Sequence, residues 1–180
     1  MSPAQPDGQP WDPHGRLLPQ LAEASVNRPL SIYVHVPFCQ VRCGYCDFNT
    51  YTVGFGPGAD RVSYGASALA EMSLAARILS DAQMPARPAS SIFFGGGTPT
   101  LLDPAALARL LEGIRQNFGI APGAEVTVEA NPESVDEAVL ESLREAGFTR
   151  VSFGMQSAVP TVLRTLDRRH DPAKLPGLVL

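Results

Sequence analysis

Cysteine is scarce in this chain, with three residues in 180, all of them within positions 39–46. An odd number leaves one thiol over from any disulfide. The N-terminus also lacks the charged and then apolar stretches of a secretory signal, so nothing points to an oxidising compartment. Long apolar runs are missing, which excludes a membrane-spanning helix of ordinary length. Long basic runs are missing too, and the formal net charge is −4, so a nucleic-acid partner is not expected. Charged residues make up only 18% against 44% hydrophobic ones, which excludes a solvated, disordered chain. The expectation is one globular core in the cytoplasm, with its cysteines reduced.

Cys39, Cys43 and Cys46 are spaced C-x3-C-x2-C. Three thiolates this close on a loop suit a soft, compact metal centre. A structural zinc site needs a fourth ligand, which His35 is near enough in sequence to supply. A four-iron cluster on three thiolates keeps one iron open. Inert buried cysteines come singly more often than in threes. The spacing alone leaves zinc and the cluster both standing.

Six of the 17 prolines lie in residues 1–29, among Gln, Gly and Asp, and this stretch reads as a disordered tail carrying the lone Trp11. Leu30 to Val36 reads as a strand bounded by Pro29 and Pro37, and the cysteine loop follows it directly. Gly54-Phe55-Gly56-Pro57-Gly58 lacks the Gly-Lys-Ser/Thr of a phosphate loop and reads as a linker. A helix is expected from about Asp60 to Ala82, then a strand at Ser91–Phe94 that runs into Gly95-Gly96-Gly97-Thr98-Pro99-Thr100. Adjacent glycines after a buried strand mean a sharp bend or a backbone lying against a ligand. Asp103 and Pro104 open the next helix, with Leu107, Leu110, Leu111, Ile114 and Phe118 on its apolar face and Gly119 as its stop. Glu125–Glu129 reads as the third strand, and Ser134 with Glu137 as a capping box for a helix that Gly147 ends. Thr149–Gly154 is the fourth strand, and Gln156-Ser157 opens a helix bearing Val159, Val162, Leu163 and Leu166. Strand and helix alternate four times, which implies a parallel sheet with all four loops on one rim. Lys174–Leu180 breaks the pattern and reads either as a fifth strand or as the end of a truncated or frame-shifted chain.

The cysteine spacing, with an aromatic before the third cysteine, resembles the radical S-adenosylmethionine (SAM) superfamily. Tyr33-Val34-His35-Val36-Pro37-Phe38-Cys39, the glycine segment at 95–100, Glu129-Ala130-Asn131-Pro132 and Phe153-Gly154-Met155-Gln156-Ser157 extend the likeness over about residues 30–172. Together they resemble the subgroup of oxygen-independent coproporphyrinogen III oxidases and the heme chaperones of HemW type. The resemblance implies a partial (β/α) barrel of α/β class, truncated after about four β-α units, over residues 30–180. It implies a 4Fe-4S cluster on Cys39, Cys43 and Cys46, whose open iron takes the amino and carboxylate groups of SAM. One electron then cleaves SAM to methionine and a 5′-deoxyadenosyl radical.

Further roles follow from the same resemblance. Gly96, Gly97 and Thr98 match the segment that receives the SAM amino group, and Glu129 matches the acid on the ribose hydroxyls. Read without the resemblance, Glu129 is a solvated strand end. Gln156 and Arg168 match further SAM contacts, and Tyr33 and Tyr45 match residues that line the site. His35 is either a structural histidine or a proton donor, and no residue is singled out as catalytic. The oxidases carry a fourth cysteine two residues after the third, where this chain has Phe48. That difference points to the heme-chaperone branch, to heme as ligand, to an acceptor protein and to an electron donor. Oxidase activity is not expected, although radical chemistry stays open. The alternatives are the oxidase itself and a non-enzymatic metal-stabilised module. Peripheral association with a membrane is compatible with the full-length family.

Overall fold

The computed structural model describes residues 12–13, 15–52, 60–168 and 170–179. Trp11 and the glycine-rich segment at 54–58 lie outside the described residues. The body is built on four strands: β1 (Leu30–Val36), β4 (Ala89–Gly96), β5 (Ile120–Ala130) and β6 (Arg150–Phe153). They pair in the order β1-β4-β5-β6, all parallel. Each strand lies beside the next one in the chain and the order never reverses. That progression makes a barrel wall, whereas a doubly wound sheet reverses at a switch point. A second, two-stranded pair joins β2 (Phe38–Cys39) to β3 (Tyr51–Thr52) and closes the base of the cysteine loop.

Helices cover one face of the sheet. They are α2 (Arg61–Asp81), α3 (Pro104–Phe118) and α4 (Glu137–Ala146). Strand periodicity sends Val34, Val36, Ile92, Phe94, Val126 and Val128 towards them, and all six are buried. Leu107, Leu110, Leu111 and Ile114 of α3 fill the centre and are buried as their helical spacing predicts. Phe94 meets Phe148 edge-on with ring centroids 5.1 Å apart. Gly113 of α3 leaves the space that Leu69 of α2 occupies, which brings the two helices into close contact. Asp60 and Asp103 cap α2 and α3 through their carboxylates, as expected for Asp103. Among the described residues no helix is long and apolar enough to cross a membrane.

Five local expectations differ from the structure. The proline-rich stretch contains α1 (Pro19–Ser25), held on the body by Arg87, whose Nη1 donates to the carbonyls of Ser25 and Arg28, both at 2.6 Å. Strands β4 and β5 extend beyond their apolar centres, to Gly96 and back to Ile120, because neighbouring strands hold their backbones. Ser134 does not cap α4. It sits in a 3-10 turn (Pro132–Ser134) and shares a capping box with Asn131, while the extended Asp136 accepts from Val139 N at 2.9 Å. The fifth helix, α5, begins at Pro160 and runs to Thr165. Gln156 stands instead in the left-handed region at φ 62°, and Val159 and Val162 are exposed, which leaves Leu163 as the buried anchor. The chain's last described stretch is a 3-10 turn (Pro172–Lys174) and a short helix, α6 (Leu175–Val179), in place of a fifth strand.

Candidate functional site

The carboxyl ends of β4, β5 and β6, with the loop that follows β1, open into one cleft of about 380 Å³. Cys39, at the end of β2, enters it from one side, with Cys43 and Cys46 from the loop. All three thiols are free and partly exposed. Gly96, Gly97 and Thr98 form the opposite lip after β4, and Glu129, Gly154, Gln156 and Arg168 complete the wall. Among the described residues no three His, Cys, Asp or Glu side chains close around a single metal-sized point.

The glycine turn lies directly on the cysteine loop. Gly97 N donates to Val36 O at 2.8 Å and Thr98 N to Phe38 O at 2.7 Å. A Cβ on Gly97 would stand 3.0 Å from Cys39 Sγ and would collide with Phe38 O. Gly96 adopts φ +113°, and a Cβ there would meet the His35 ring at 2.7 Å. The glycines are therefore required by the sharp turn at Gly96 and by close approach to the chain's own cysteine loop and His35. Glu129 is fixed by the same turn, since Gly96 N donates to its Oε2 at 3.2 Å.

A polar chain ties the rest together. Asn131 Nδ2 donates to Thr98 Oγ1 at 3.0 Å, and Asn131 Oδ1 accepts from Arg168 Nη2 at 2.7 Å. The Arg168 guanidinium also donates to Gly154 O, and its Nη1 reaches Cys43 Sγ at 3.5 Å. One arginine after α5 thus links the cysteine loop to the ends of β5 and β6, more than 120 residues from Cys43 in sequence. Asn131 was legible only as a strand-ending residue within a motif. Its bridging role depends on two partners, Thr98 and Arg168, that the sequence places far away.

Electrostatics follow the burial. Burial raises the Cys39 thiol above its ordinary value, the Thr50 and Thr98 hydroxyls oppose that, and the charges of Cys46 and Cys43 add to it. Tyr45, half exposed at the mouth, is raised chiefly by burial and pulled back by Arg168. Tyr33 is the predicted site residue that the cleft does not gather. It stands on the face of the sheet that Glu129 shares, stacked on Phe93, with its hydroxyl 3.0 Å from His35 Nδ1, and burial and then the Glu129 charge raise that hydroxyl above its ordinary value. His35 Nε2 meets Asn49 O at 2.8 Å. With a carbonyl on that side, Nε2 carries the proton and Nδ1 accepts from Tyr33. Both ring nitrogens are engaged, so His35 holds structure here and offers no free nitrogen as a fourth metal ligand.

Parallel strands that step round a barrel wall, and three thiols facing a glycine turn at its carboxyl rim, define the class: the chain belongs to the radical SAM superfamily, whose family model matches residues 33–175. Membership implies a 4Fe-4S cluster and SAM as the family's cofactors. Among relatives, the chain is 47% identical over 157 residues to a heme chaperone HemW of Mycobacterium tuberculosis, which covers 87% of this chain and 39% of the relative. It is 38% identical over 150 residues to the heme chaperone HemW of Escherichia coli, covering 80% of this chain and 36% of the relative. The oxygen-independent coproporphyrinogen III oxidase of Salmonella typhimurium is 36% identical over 144 residues, covering 80% and 30%. Among solved structures, coproporphyrinogen III oxidase (HemN) from Escherichia coli, described as a radical SAM enzyme, superposes with a TM-score of 0.71 at 31% identity, covering 88% of this chain and 36% of that one. The chain thus spans between 30% and 39% of the length of these relatives.

Proposed function

We propose that this chain is the radical SAM unit of a heme chaperone of HemW type. It would hold a 4Fe-4S cluster on Cys39, Cys43 and Cys46, bind SAM across the cleft, and serve the transfer of heme to an acceptor protein. One observation carries the cofactor part. Three free thiols, a glycine turn with no room for a Cβ, and Glu129 all face the same cleft. A cradle that a single methyl group would fill, beside soft ligands, suits a compact iron–sulfur group. The chemistry such a group supplies when bound is one-electron reduction of SAM.

The chain's own residues do the placing. Cys39, Cys43 and Cys46 would ligate. Gly96 and Gly97 would let the SAM amino end approach backbone atoms, and Glu129 would accept from the ribose hydroxyls through its carboxylate oxygens. Arg168 and Asn131 hold the two sides of the cleft at fixed separation. Gln156, in its left-handed turn, would line the adenosine side. Residues 30–180 form the domain for this role.

Phe48 separates the two branches. It lines the mouth of the cleft where the oxidases carry a cysteine, and a phenyl ring can neither ligate a metal nor donate a hydrogen atom as a thiol does. Heme transfer is therefore favoured over porphyrinogen oxidation. The test is anaerobic incubation of the cluster-loaded protein with heme and an apo-hemoprotein, alongside a second incubation with coproporphyrinogen III, SAM and a reductant. Heme appearing in the acceptor, with no porphyrin product, supports the proposal. Porphyrin formation overturns it.

A further inference from the structure

The cysteine loop carries more apolar surface than its ligand role requires. Phe48 is 60% exposed and Val41 38% exposed, and both line the mouth of the cleft that holds the three thiols. Neither belongs to the buried core of the sheet and helices. With Tyr45, 48% exposed on the same loop, they gather three large apolar side chains at one mouth, and clustered rather than single exposure is what marks a binding surface. Between them in sequence, Arg42 is exposed, and among the described residues its guanidinium makes a long 3.5 Å contact to Cys46 O. Aromatic rings, an aliphatic neighbour and an exposed guanidinium on one short loop match a planar apolar ligand with a carboxylate at its edge.

Resting on the heme-chaperone reading, we propose that heme is seated on this patch, at the mouth of the cluster cleft. The macrocycle lies against Phe48 and Val41, and a propionate is received by Arg42. This places the cargo beside the cluster loop, within this chain's own residues. No bond is made or broken in the protein. Binding exchanges water on the patch for the porphyrin face, and water on Arg42 for a carboxylate.

The test uses the full chain loaded with iron and sulfide under anaerobic conditions, and hemin as the probe, titrated by its Soret absorbance. Phe48→Ser is expected to weaken hemin binding by about tenfold or more, while Phe48→Trp, which keeps a flat apolar ring, stays within about threefold of the wild type. Arg42→Glu is expected to weaken hemin but not hemin dimethyl ester, whose propionates are uncharged. Val62, 92% exposed on α2, serves as control, since Val62→Ser leaves hemin binding unchanged unless hemin merely adheres to apolar surface. Iron and sulfide content must equal the wild type in every variant compared. Wild-type binding that survives Phe48→Ser and Arg42→Glu overturns this seat and leaves the chaperone reading intact. No saturable binding of hemin to the wild type overturns both.

Discussion

Replacing Gly97 by alanine tests the contact on which the cleft depends. The new Cβ would stand 3.0 Å from Cys39 Sγ and closer still to the Phe38 carbonyl oxygen. Neither neighbour is the free end of a long side chain. Phe38 O is held by Thr98 N at 2.7 Å, and Phe38 itself is buried. Relief therefore means moving the glycine turn away from the cysteine loop. Overpacking of a rigid site costs about 1–3 kcal/mol, and loosening the Thr98–Phe38 hydrogen bond about 1 kcal/mol more. Restricting the unfolded chain returns about 0.4–1 kcal/mol, which leaves a net loss of about 1–3 kcal/mol. Urea unfolding of the metal-free protein, followed by circular dichroism, reads that loss as a lower midpoint at unchanged slope. The displaced Cys39 should also lower the iron and sulfide held after reconstitution. Gly65 is the control: it lies inside α2 with nothing within 4 Å of a built Cβ. Gly65→Ala should raise stability by about 0.5–1 kcal/mol through helix propensity. A Gly97→Ala protein with wild-type midpoint and wild-type iron content would refute the close-contact reasoning.

Phe94→Ala, at the fully buried ring that meets Phe148, is expected to cost about 3–5 kcal/mol in the same unfolding experiment. Asp136→Ala should cost about 1 kcal/mol by uncapping α4, whereas Glu137→Gln should change little, because Glu137 closes no capping box. The Tyr64 hydroxyl, which donates to His35 O at 2.7 Å, is pushed from 10.0 up to about 12 by burial, with Glu71 and Tyr33 adding to it. Its folded value is the higher one, so the unfolded chain ionises first and stability falls as pH rises from 10 towards 12. Tyr64→Phe should flatten that alkaline limb in a pH series of unfolding midpoints.

Much of this architecture was legible because it rests on local rules. Val34, Val36, Ile92 and Phe94 are short buried runs bounded by proline or glycine, and they became strands. Asp103-Pro104 and Gly147 marked helix ends through capping and left-handed geometry that depend on a few adjacent residues. The misreadings share a cause as well. Ser134 and Asp136 both have the chemistry of a cap, and only the fold decides which backbone is extended. The helix at Pro19–Ser25 is held on the body by Arg87, some sixty residues on, which donates to the carbonyl of its last residue, Ser25. In the site, the cysteine spacing and the glycine run were visible as motifs, and their juxtaposition follows from parallel strands placing successive loops on one rim. The Asn131–Arg168 link was hidden, since it depends on side chains from three separate loops meeting. Tyr33 shared a motif with Cys39 and keeps the face of the sheet that carries Glu129, yet it does not line the cleft, because three residues of β1 separate it from the loop.

On the proposed reading, Cys39, Cys43 and Cys46 hold an iron–sulfur centre with a position open to SAM. Its most direct test is the electron paramagnetic resonance spectrum of the anaerobically reconstituted, reduced protein, recorded without and then with SAM. A 4Fe-4S signal whose g-values shift on adding SAM, and which is absent from the Cys43→Ser variant, is the predicted result. Zinc bound without iron or sulfide, or a cluster signal indifferent to SAM, would contradict it.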